Sequence, residues 1–237
     1  MKKVEVKGTI ISNNLQRIYD WLDIEATSPS KVINALPKDG SPVEVYINSG
    51  GGDVFAGSEI HTALREYEGH VTGKIVGLAA SAASVVAMGA DKVLISPTAQ
   101  MMIHNVSTTV GGDYRDFEHA AEILKSANQS IANAYKQRTG KSDEELKSLM
   151  DAETWFNAQT AVEHGFADEI MFENESFGGT LVANFGANIL SDDVIAKISQ
   201  LIGTDTESTV TASVVEGKTQ YEAKLKLLRM RGMHNDN

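Results

Sequence analysis

Ser81 lies in the run Gly77-Leu78-Ala79-Ala80-Ser81-Ala82-Ala83-Ser84, and His104 closes Met101-Met102-Ile103-His104 twenty-three residues later. A serine among small residues, at the start of an apolar helical stretch, can expose its hydroxyl and the backbone N–H that follows it. A histidine ending a short apolar strand can reach that hydroxyl as a base. Nucleophile, base and oxyanion donor are the three parts that acyl transfer to water requires. Taken singly, each residue has a plainer reading: a helix-packing serine and a core histidine. Ser84 is a rival nucleophile, although a helical serine bonded back to an earlier carbonyl is the commoner arrangement.

Other chemistries find less support. Cysteine is absent, which removes thiolate nucleophiles, disulfides and Cys-type zinc sites. The six histidines include no His-Glu-x-x-His, so no metal and no cofactor is expected. Thr139-Gly140-Lys141-Ser142 is worded like the end of a P-loop, but Tyr135 stands where a glycine is needed. Gly-x-Ser-x-Gly is missing around Ser81. With 21 Lys and Arg against 32 Asp and Glu, the net charge of −11 argues against nucleic acid as a partner. No apolar core follows Lys2 and Lys3, and the run from Ile75 to Ala90 is too short and too rich in Ala, Gly and Ser to span a membrane. A cytoplasmic protein is expected.

The elements that must position this chemistry alternate. Val43–Ile47 reads as a strand entering the glycine turn Asn48-Ser49-Gly50-Gly51-Gly52-Asp53, and Val54–Glu68 as a helix with Ala56, Ile60, Ala63, Leu64 and Tyr67 on one face. Val71–Val76 reads as a strand, Ser81–Gly89 as a helix, and Lys92–Ile95 and Gln100–Ile103 as strands. This order implies a right-handed, mainly parallel α/β layer. A long amphipathic helix covers 113–138, with Tyr114, Phe117, Ala121, Leu124, Ile131 and Tyr135 on one broad face. At ~1.5 Å per residue it is a rod of roughly 39 Å, able to project from the domain. Ser142-x-x-Glu145 caps the next helix, Ala158–His164 forms a short one, and Ala167–Met171 reads as a strand. Residues 1–173 are expected to form one domain, 174–202 an extension with one helix, and 203–237 a linker rich in Thr, Ser, Asp and Glu with a small basic helix.

Three ordered segments, Ile47-Asn48-Ser49-Gly50-Gly51-Gly52-x-Val54-x-Ala56-Gly57, Gly77-x-Ala79-Ala80-Ser81 and Met102-Ile103-His104, together resemble the proteolytic subunit of the Clp protease. Phe156-x-Ala158-x-x-Ala161-Val162-Glu163-x-Gly165-x-Ala167-Asp168 is similar to that family's closing helix–strand segment. The resemblance covers about residues 40–172, and the wording is most similar to relatives encoded with phage and prophage head genes, which act in capsid maturation. It implies a spiral of βαβ units shared with crotonases, and stacked rings in which the 113–138 helix joins one ring to the other. It implies protein substrates, here capsid or scaffold proteins, and leaves open whether an ATP-driven unfoldase docks.

The resemblance also implies roles. Ser81 would be the nucleophile, His104 the general base, and the N–H groups of Gly52 and Ala82 the oxyanion donors. Aligning Phe156 and Ala161-Val162-Glu163 puts Thr154 at the family's triad aspartate, a departure, with Asp151 as a substitute. A threonine can hold the imidazole tautomer but supplies no charge, so a slow enzyme is expected, or one completed on assembly. Gly50 departs too, standing where the family usually carries proline. Two other readings remain: an inactive shell or scaffold component, which Thr154 favours, and a crotonase-type acyl-CoA enzyme, which leaves Ser81 and His104 unexplained.

Overall fold

The computed structural model describes residues 1–173. The extension expected at 174–202 and the linker and basic helix expected at 203–237 lie outside the described residues.

Strands β1 (Lys2–Ile10), β2 (Ala26–Thr27), β3 (Val43–Gly52), β4 (Val71–Ala80), β5 (Lys92–Ile95) and β8 (Glu169–Ile170) form a parallel sheet in the order β2-β1-β3-β4-β5-β8. The far end of β4 leaves β5 and pairs instead with β6 (Gln100–Ile103), which pairs antiparallel with β7 (Thr154–Phe156). Helices α1 (Gln16–Trp21), α2 (Pro29–Ala35), α3 (Val54–Glu66), α4 (Ala82–Ala87), α5 (Tyr114–Thr139), α6 (Asp143–Asp151) and α7 (Ala158–Glu163) fill the connections.

Alternation sets the layers. Val43, Val45, Ile47 and Ser49 of β3 are buried, while Glu44 and Tyr46 face the other, half-open side. Val4, Val6, Ile75, Val93 and Ile95 join the buried face under α3 and α4. Burying each such side chain stabilises the fold by about 1.5–3 kcal/mol before chain entropy is counted. Every residue of α4 is buried, which is how a helix apolar all round must sit. On the open side Lys74 donates to Glu44 at 2.6 Å, and Lys3 lies over the Tyr46 ring at 4.8 Å.

The glycine run is strand rather than turn. β3 continues to Gly52 because β1 supplies it a partner, Thr9 opposite Gly51 and Ile10 opposite Gly52. Both neighbouring ladders slip here, and side chains fill the gaps. The Leu78 N–H donates to Asn48 Oδ1 at 3.1 Å. The Ser49 hydroxyl donates to the Gly8 carbonyl at 2.6 Å and accepts from the Gly51 N–H at 3.0 Å. The polar residues in Asn48-Ser49 thus replace lost ladder bonds, as buried backbone groups require.

Helix α5 divides in two. Ile131, Ala132, Ala134 and Tyr135 pack on the domain, whereas Tyr114, Phe117 and Ile123 are 71%, 52% and 52% exposed. The single broad apolar face expected from sequence is therefore core at one end and open at the other. Capping boxes start both α5, on Asp113 and Asp116, and α6, on Ser142 and Glu145. Among the described residues no helix is long and apolar enough to cross a membrane.

Candidate active site

Strand β4 ends at Ala80, α4 begins at Ala82, and Ser81 occupies the corner between them with φ 54° and ψ −126°. Such a backbone is costly for a residue with a Cβ and persists only where its surroundings over-determine it. Here its N–H donates to the Met102 carbonyl of β6 at 3.0 Å, and its own carbonyl accepts from the Ser84 N–H at 3.0 Å. The corner turns the side chain toward β6. His104, the first residue beyond that strand, meets it: Nε2 and the Ser81 hydroxyl are 2.8 Å apart. Imidazole and hydroxyl are within the reach that general-base catalysis needs.

Position 51 requires glycine. A Cβ there would stand 2.8 Å from Ser81 Cβ and 2.9 Å from the Ala82 nitrogen, and its φ is +94°. Only glycine lets β3 run this close to the Ser81 corner. Gly52 and Ala82 consequently line the same pocket of about 180 Å³ as Ser81 and His104. Its remaining walls include Val54, Val85, Val106 and Ile131, an apolar lining beside the serine. A wider groove of about 560 Å³ shares Gly52, Val54, Val106 and Ser107 and extends along α5 to Ile123 and Leu124. Asp53 caps α3 by accepting from the Phe55 and Ala56 N–H groups.

The groups expected behind the histidine do not reach it. The Thr154 hydroxyl donates to the Leu149 carbonyl at 2.6 Å, across the tight connection from α6 to β7. The Asp151 carboxylate accepts from Asn105 Nδ2 at 2.8 Å and from Lys147 at 2.6 Å, donors that hold it below the usual carboxylate range. Among the described residues the one hydrogen bond of the His104 ring is that of Nε2 to Ser81.

In the β6–β7 ladder Met101 faces Phe156, Met102 faces Trp155 and Ile103 faces Thr154. His104 and Glu153 are the first residues outside these strands, and Glu153, exposed and with φ 48°, forms no hydrogen bond or ion pair with the His104 ring.

Ser84 is fully buried, and its hydroxyl bonds back to the Ser81 carbonyl at 2.6 Å. It is no rival nucleophile. Among the described residues no group of three or more His, Asp or Glu side chains is arranged to hold a metal ion.

The family model described as Clp protease matches residues 25–174. ATP-dependent Clp protease proteolytic subunit 1 of Chlamydia muridarum is 35% identical over 142 residues, spanning 58% of this chain and 73% of that protein. Proteolytic subunit 2 of Rhodococcus jostii is 34% identical over 140 residues, 58% of this chain and 72% of that one. Among solved structures, an Asn-to-Asp mutant of ClpP1 from Listeria monocytogenes superposes with a TM-score of 0.59 at 24% identity, covering 72% of this chain and 91% of that one. That likeness establishes the spiral βαβ architecture expected from the sequence.

Proposed function

The chain belongs to the Clp protease family, and on that premise we propose that Ser81 is the nucleophile and His104 the base of an endopeptidase that cuts capsid or scaffold proteins during phage head maturation. The observation that carries the catalytic part is the 2.8 Å bond between the Ser81 hydroxyl and His104 Nε2 at a strained strand-to-helix corner.

In this mechanism Nε2 takes the hydroxyl proton as Oγ attacks the scissile carbonyl carbon. The oxyanion that forms meets the N–H groups of Gly52 and Ala82, each such donor being worth about 3–4 kcal/mol of barrier. The intermediate collapses as His104 gives its proton to the leaving amine. Water then attacks the acyl-enzyme with His104 again as base. The valine and isoleucine lining of the adjacent pocket favours a medium apolar side chain on the acyl side of the cut bond. Among the described residues no carboxylate pairs with the His104 ring, so the imidazolium that forms in both steps has no charged partner and turnover is slow.

The family resemblance and the exposed aromatic and aliphatic residues on the free half of α5 support the stacking of rings through that helix. The capsid assignment rests on the similarity to head-gene relatives, and it implies one cut per substrate molecule in the host cytoplasm or the assembling particle.

Two measurements test the reading. A fluorophosphonate probe should label wild type on Ser81 and leave Ser81→Ala unlabelled. Intact masses after co-expression with the neighbouring capsid proteins should show cut products with wild type and only precursors with Ser81→Ala. Persistent labelling of the variant would overturn the assignment. Normal assembly and particle production by Ser81→Ala, with no cut protein in either case, would favour an inactive shell component.

A further inference from the structure

The strained Ser81 corner is held from behind by a buried pair of hydroxyls that the catalytic steps do not use. Ser84 Oγ lies 2.6 Å from the Ser81 carbonyl oxygen and 2.8 Å from Tyr135 Oη. A carbonyl only accepts, so the single Ser84 proton points at Ser81. The Tyr135 hydroxyl must then donate to Ser84. The chain of bonds runs one way, from α5 through α4 into the backbone of Ser81.

Ser84 is 0% and Tyr135 1% exposed, so neither bond competes with water. Burial raises the Tyr135 phenol above its usual ionisation range, which keeps it a donor wherever a histidine base can work. The Tyr135 ring is fixed edge-on to Phe166, centroids 5.7 Å apart, and Phe166 packs on Phe156 of β7 at 4.8 Å. A phenol this confined has little freedom to follow a relaxing partner.

We propose that Tyr135 and Ser84 are positioning residues for the nucleophile: by holding the Ser81 carbonyl they keep its backbone at positive φ, and so keep the hydroxyl aimed at His104. The inference rests on reading Ser81 as the nucleophile. Without the two hydroxyls the carbonyl retains only its helical N–H donors, from Ser84 at 3.0 Å and Val85 at 3.4 Å. A corner held more loosely spends less time in the attacking geometry, and small displacements there are expensive in rate.

The test is the rate at which a fluorophosphonate probe labels Ser81, measured with the unfolding midpoint, in Ser84→Ala, Tyr135→Phe and the double variant. Tyr67→Phe, which removes a phenol bond of 2.7 Å to the Ser41 carbonyl, is the control for lost stability alone. Labelling should slow roughly 10-fold or more in both single variants, and stay at the wild-type rate in the control. Because Tyr135 acts through Ser84, the double variant should be no slower than Ser84→Ala. Wild-type labelling rates in folded single variants, or losses that multiply in the double variant, would overturn the relay while leaving Ser81 as nucleophile. Wild-type protein that leaves Ser81 unlabelled overturns the protease reading, and the positioning role with it.

Discussion

The Ser81 hydroxyl and His104 Nε2 meet at 2.8 Å, and among the described residues no carboxylate forms an ion pair with that imidazole. The neighbouring candidates are engaged elsewhere, Thr154 with the Leu149 carbonyl and Asp151 with Asn105 and Lys147. Asp151→Asn and Glu153→Gln should therefore each leave kcat/KM for peptide hydrolysis within a few-fold of wild type. Thr154→Val should likewise leave turnover within a few-fold and cost about 1 kcal/mol of stability. Steady-state kinetics with denaturant titration checks all three, and a loss of about 10²-fold or more in one variant would make that residue the third group.

Neighbouring glycines should behave oppositely. A Cβ at Gly51 would sit 2.7 Å from the Ala80 carbonyl oxygen, at a φ of +94°, whereas one at Gly50 meets nothing within 4 Å. Gly51→Ala should cost about 3 kcal/mol and abolish labelling of Ser81. Gly50→Ala should be nearly silent in both measurements.

Acid should loosen the open face of the sheet. The Lys74 hydrogen bond, followed by that of Tyr46, lowers the Glu44 pKa from its ordinary 4.5. A depressed carboxylate contributes stability that is present above its unfolded value and is lost as pH falls through the folded one. Wild-type stability should therefore decline as pH drops below about 4.5, and Glu44→Gln should flatten that part of the curve. Urea titrations at several pH values would show an unchanged slope if the pair contributes nothing.

Arg138 ties the inner end of α5 to the sheet edge. It pairs with Asp168 and donates to the carbonyls of Ala90 and Asp91. Asp168 in turn accepts from the Val93 N–H at 2.6 Å. Arg138→Leu should reduce stability by about 1–2 kcal/mol, while Arg115→Leu, whose partner Asp113 is exposed, should change it little. Thermal unfolding of the two variants checks the contrast.

Local signals marked much of this architecture. β5 and β6 begin and end where short apolar runs do, and the capping box at Ser142 and Glu145 opens α6 as its spacing requires. Elements defined by distant partners were less legible. Asn48-Ser49-Gly50-Gly51-Gly52 reads as a turn until β1 is laid beside it, and β7 is too short to show a period. The same reason separates the site residues. Ser81 and His104 announce themselves by type and setting, whereas the engagement of Thr154 and Asp151 away from the histidine becomes visible only through their bonds in the fold. The positive φ at Ser81 belongs to no local pattern, because a serine adopts it only when tertiary bonds hold both of its peptide groups.

The Met102 carbonyl accepts the Ser81 N–H, and His104 follows two residues later, just beyond the end of the strand that carries Met102. Ser81 and His104 thus take their positions from one shared datum. When β6 shifts within the sheet, it carries both groups along nearly the same vector, and their separation is preserved to first order. The spacing of the pair is set by this shared strand together with the buried hydroxyls that hold the Ser81 carbonyl from behind.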